Sequence, residues 1–152
     1  MQLPWEARRL ILEVDQLLKR AGAQDDLRVQ SDYAQYAVIR VSGLLEQAVT
    51  EIVQTHVKAQ ASPTVLSHIE YRMTTFQNPS VERILQLVGS FDRRWRDSLD
   101  SALGDPERGA IGSIGYQRNK IAHGQNSTVS LAQVSQYFEE IKSVLDKVAS
   151  QF

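Results

Sequence analysis

At 152 residues and 17.1 kDa, the chain has room for one ordinary domain and not for two. Hydrophobic residues make up 42% and charged residues 23%, with 17 Lys and Arg against 18 Asp and Glu, a balance that excludes both a disordered polyelectrolyte and a polybasic binder of nucleic acid or membranes. The count of zero cysteines excludes disulfides, a thiol nucleophile and a sulfur-ligated zinc.

Helical periodicity runs through the whole chain. After Pro4, the residues Leu10, Ile11, Val14, Leu17, Leu18 and Ala21 form one apolar stripe, and Gly22 is expected as the stop. A long second helix is predicted from Ser31 or Asp32, with Ala34, Val38, Val41, Leu45, Ala48 and Ile52 on its buried side. Ser62-Pro63 reads as N-cap and first turn of a third helix. Asn78-Pro79 reads as the same signal for a fourth, ended by Gly89. A short helix around Trp95 and Leu99 is expected to stop at Gly104, and Asp105-Pro106 opens the next, which runs to His123-Gly124. Ser130 and Gln133 form a capping box for the last helix. Its apolar positions 131, 134, 138, 141, 145 and 148 fit an intrachain core seam or, less well, a contact with a second copy. No strand-like alternation occurs, so the expected fold is an all-α bundle of about six to seven helices in a single domain over residues 1–152.

Glu6, Arg8 and Arg9 break the stretch that a secretory segment would need to be apolar, and no run approaches the ~18 apolar residues of a membrane span. A cytoplasmic location without membrane contact is therefore expected. Glycine-rich nucleotide loops are absent, and His68-Ile69-Glu70 lacks the cysteines that a zinc deaminase requires. His56 reads as a partly exposed helix residue, and Arg93-Arg94-Trp95-Arg96 as a solvated helix carrying one buried Trp between Asp92 and Asp97. Neither a metal site nor a cofactor is expected.

One stretch stands apart. From Arg108 to Phe138 there is no Asp or Glu, where proportional usage would put about four. Arg108, Arg118, Lys120 and His123 lie inside it, a composition that suits a phosphate-bearing ligand. Gly109, Gly112 and Gly115 recur every third residue; since helical glycines cost about 1 kcal/mol each relative to Ala, they are expected to form a tight helix-packing ridge, the alternative being a partly irregular segment. A helix that ends in His-Gly with an Arg nearby also has a purely structural explanation, since cations and glycine both favour helix C-termini.

Arg118-Asn119-Lys120-Ile121-Ala122-His123 resembles the R-x4-H signature of the HEPN superfamily, whose members are small all-α domains that include metal-independent endoribonucleases. Asp32-Tyr33-Ala34, Arg40-Val41-Ser42-Gly43, Leu45-Glu46, Phe76-Gln77-Asn78 and Leu87-Val88-Gly89-Ser90-Phe91-Asp92 resemble the branch called RiboL-PSP-HEPN. These blocks span about residues 31–148 and leave the first helix, residues 1–24, outside the clearest resemblance.

The resemblance implies cleavage of RNA to 2′,3′-cyclic phosphate and 5′-hydroxyl ends, in antiviral defence or as a toxin. His123 would be the proton acceptor and Arg118 the phosphate clamp, with Asn119 supporting them. Lys120, and more weakly Arg40 and Glu46, are candidates for holding RNA; the alternative for the last two is a buried ion pair. Five positions separate Arg118 and His123 by about 140° on an ideal helix. Either the last turn loosens or a second copy completes the site, and the family implies a homodimer with facing motifs. An antitoxin or other defence-system partner is also implied. In toxins of the family that pair with nucleotidyltransferases the motif continues H-x-Y, and that tyrosine is the modification target; here Gly124 and Gln125 follow, so the resemblance does not extend to control by nucleotidylation of that tyrosine. The alternative readings are a non-catalytic HEPN module that binds RNA or assembles with a partner, and a purely structural helical adaptor.

Overall fold

Seven helices make up the computed structural model, which describes residues 1–152: α1 (Trp5–Gly22), α2 (Leu27–Gln60), α3 (Pro63–Met73), α4 (Val81–Phe91), α5 (Arg93–Ala102), α6 (Asp105–Ala122) and α7 (Leu131–Ala149). No strand is present, in agreement with the all-α bundle that the periodicity predicts. The 34-residue α2 is the central rod, with α1, α3, α6 and α7 packed around it and α4 and α5 paired at one side. No helix is long and apolar enough to cross a membrane.

Capping chemistry accounts for several boundaries. Ser62 accepts from the Val65 N–H with Pro63 in the first turn, and Ser130 and Gln133 close a reciprocal capping box. Other boundaries differ from expectation. The second helix begins one turn earlier, because Asp26 accepts the Arg28 N–H at 2.8 Å; Ser31 and Asp32 lie inside the helix, exposed. Ser80, not Asn78, caps α4. Gly22 lies within α1, which Ala23 terminates, and α4 continues past Gly89 to Phe91. Helix continuity at Gly89 has a packing reason: a Cβ there would sit 3.0 Å from Arg96 Cδ of the neighbouring helix.

The core is continuous. Val38, Val41, Leu45 and Ile52 of α2 are buried against Val134, Phe138, Ile141, Leu145 and Val148 of α7, so the α7 seam is intrachain core. Ala7, Val14 and Leu17 of α1 belong to the same cluster. His56 packs its ring edge-on against Phe91, Trp95 and Phe152; Arg93 and Arg94 are exposed, Arg94 pairing with Asp92 at 2.6 Å, while Trp95 and Arg96 are half-buried.

A buried charge fixes the start of α6. Glu107 is 4% exposed; it accepts the Gly104 N–H at 2.7 Å and is bonded by Ser143 and Lys147 of α7. Burial alone would raise its pKa, but those donors and the Lys147 charge hold its carboxyl below the ordinary value.

Candidate functional site

The site is built at the far end of α6. The helix keeps α-type hydrogen bonding to its end, with the His123 N–H donating to the Asn119 carbonyl. Gly124 N–H then donates to the Ile121 carbonyl, and Gln125 N–H to Lys120, a complete Schellman stop. Gly124 takes φ +70°, the left-handed conformation that this stop requires. The last turn therefore does not loosen, and the ~140° offset of Arg118 and His123 stands within one chain.

Arg118 is half-buried and forms no ion pair; its guanidinium donates only to Asn119 Oδ1 at 3.4 Å. Asn119 Oδ1 also accepts from Asn78 Nδ2 at 3.2 Å. Asn78 sits in the loop between α3 and α4 at φ +42°, a conformation that Asn tolerates better than most residues. Its backbone N–H donates to Glu46 Oε2 at 2.8 Å, and its Oδ1 accepts from the Ser42 hydroxyl at 3.4 Å. Glu46 and Ser42 come from α2. One polar network thus ties α2, the α3–α4 loop and α6 together behind the arginine.

Sequence-predicted residues fall into two groups. Arg118, Asn119 and Glu46 join this network. Lys120 instead places its Nζ 5.5 Å over the Tyr116 ring, without a carboxylate partner. Arg40 pairs with Glu13 of α1 at 3.1 Å and meets the Tyr36 hydroxyl, apart from the network. His123 is exposed, and its imidazole makes no hydrogen bond within the chain. Asn78 and Ser42 were missed as site residues, although both lie in the blocks that carried the resemblance. The local sequence Asn78-Pro79 suggests a helix cap instead.

The glycine ridge is not as expected. A Cβ at Gly109 or Gly112 would meet nothing within 4 Å, and at Gly115 it would meet only Asn78 Oδ1 at 3.5 Å. The segment is regular helix, and Ile111 and Ile114 pack into the core, but no element of this chain lies against the face of Gly109 and Gly112. Gly109, Gly112, Tyr116, Asn119 and His123 recur at steps of three or four, and all are exposed.

Chemically, the end of α6 offers a planar cation, a flexible cation and an imidazole in a stretch with no acidic side chain. Glu46 is the nearby carboxylate of the network, and one of its oxygens is committed to Asn78. Such a surface suits a phosphate diester. No group of three or more His, Asp or Glu side chains is arranged to hold a metal ion.

A family model described as RiboL-PSP-HEPN matches residues 6–152, a span that takes in α1 as well as the rest of the bundle. No curated protein and no solved structure matches the chain.

Proposed function

The chain belongs to the RiboL-PSP-HEPN family, and from that premise we propose that it is a metal-independent endoribonuclease acting through Arg118 and His123. The observation that carries this reading is the uncompensated Arg118, held by a network of its own and five positions from an exposed histidine. The 2′-hydroxyl attacks the adjacent phosphorus and gives up its proton to the His123 imidazole. The bond from phosphorus to the 5′-oxygen breaks, that oxygen takes a proton, and a 2′,3′-cyclic phosphate remains. Arg118 holds the non-bridging oxygens as their charge grows. Asn119 orients Arg118, and Lys120 holds the RNA backbone.

A homodimer completes the site in this reading. The helical offset separates Arg118 from His123 in one chain, while the open face of Gly109, Gly112 and Tyr116 leads to His123 and can admit a second copy. A cytoplasmic role in antiviral defence or as a toxin, with an antitoxin or defence-system partner, belongs to the same proposal.

The second reading, a non-catalytic module that binds RNA or a partner, is favoured by one observation. The imidazole of His123 lacks the hydrogen-bonded orienting group that a general base ordinarily has. Incubation of single-stranded RNA in EDTA separates the two, with His123→Ala as the contamination control. Cyclic-phosphate ends made only by the unsubstituted protein support the nuclease; 3′-hydroxyl products, or equal cleavage by the variant, refute it.

A further inference from the structure

The groove between α3 and α4 has no part in that chemistry. It encloses about 410 Å³, within the range of ligand pockets. Ile69, Met73, Phe76 and Leu87 form an apolar floor, and His68, Arg72 and Arg83 also line it. No Asp or Glu lines it. The nearest acid in the α4 sequence, Glu82, is engaged by Arg96 and Gln86. Arg72 is exposed, and its guanidinium forms no hydrogen bond or ion pair within the chain. Arg83 lies 5.8 Å over the Phe76 ring and donates to the Thr75 and Gln77 carbonyls, so its charge also meets no carboxylate. The loop that walls this groove is the one that carries Asn78 into the network behind Arg118. Phe76 and Asn78 are two residues apart, at most about 7 Å of chain.

We propose that this groove is a subsite for single-stranded RNA next to the scissile phosphate, an inference that rests on the ribonuclease reading. An unstacked base covers the apolar floor, and Arg72 and Arg83 take the flanking phosphates. Duplex RNA does not fit this role, because its paired bases are not free to enter the groove.

The test measures binding of a single-stranded RNA of about 12 nucleotides to His123→Ala protein, which leaves the RNA uncut. Arg72→Glu on α3 and Ser90→Glu on α4 are then added singly; both positions are exposed, and thermal melts check folding. Each substitution should weaken binding about fivefold or more, and Arg72→Glu should lower the salt-dependence slope by about 0.7 per lost phosphate contact. Unchanged affinity in both folded variants overturns the groove, and that is also the outcome if the groove serves an acidic protein segment. Failure of the His123→Ala protein to bind RNA overturns it as well. Cleavage by the unsubstituted protein is scored separately. Weakened binding without any cleavage in that protein would sink the ribonuclease reading and leave the RNA subsite standing.

Discussion

Asn78 donates its side-chain amide to Asn119 Oδ1 at 3.2 Å, joining the α3–α4 loop to α6 across 41 positions of sequence. Asn119 Oδ1 is the same atom that Arg118 reaches, so the loop positions the arginine through one shared acceptor.

Replacing Asn78 separates conformation from contact. Glycine accepts φ +42° without strain, so Asn78→Gly should keep stability within about 1 kcal/mol. Cleavage should still fall about tenfold or more, because Asn119 and Arg118 lose their brace. Full activity in a folded Asn78→Gly protein would remove the network from the site.

His123 should be dispensable for folding. It is exposed at a helix end, where its contribution is about 0.3–1 kcal/mol, whereas cleavage should drop about 100-fold. Urea titration and product gels on His123→Ala measure the two effects. Unfolding on substitution would make His123 a structural residue.

Mixing tests the shared site. Arg118→Ala and His123→Ala proteins should each be nearly inactive, and co-refolding them should return some cleavage if each chain supplies the group its partner lacks. Sedimentation should show two copies at micromolar concentration. A fully active monomer contradicts the model.

Glycines on the open face give opposite signs in two measurements. Gly112→Ala adds a methyl group that meets nothing, so the single chain should gain up to about 1 kcal/mol. If a second copy packs on this face, dimerisation and cleavage should weaken at the same time. Unchanged assembly would place the interface elsewhere, on another helix.

Glu107 predicts an acid-sensitive fold. Its carboxyl titrates below its ordinary 4.5: burial opposes this, but Lys147, Ser143 and the Gly104 N–H together outweigh it. The unfolded chain therefore takes up the proton first as pH falls. The stabilisation is present above about pH 5 and is lost as pH drops through the lower, folded value. Glu107→Gln should cost about 2–3 kcal/mol near neutrality, and the difference should shrink in melts near pH 3. A constant difference across that range would show that packing, not charge, holds the corner.

Local signals read correctly where the chemistry is local. Ser62-Pro63 and the Ser130–Gln133 box act within one turn, and both cap their helices. Asn78-Pro79 carries the same composition, but the Asn78 side chain binds Ser42 and Asn119, and neither partner is visible from the neighbouring residues. The spacing of Arg118 and His123 was legible along with its angular offset, because both depend only on the helical repeat. Openness at Gly109 and Gly112 was not, since periodic glycines look alike whether a helix lies against them or not.

Helix α6 is anchored at one end by Glu107 and carries the proposed site at the other. Glu107 and His123 lie 16 positions apart, about 24 Å along the axis. At that distance, substitutions at the base and at the tip should change stability independently. Substitutions at the tip therefore carry little risk to the fold. Sequence drift in this chain's relatives would then be limited by folding near Glu107 and by activity alone near His123.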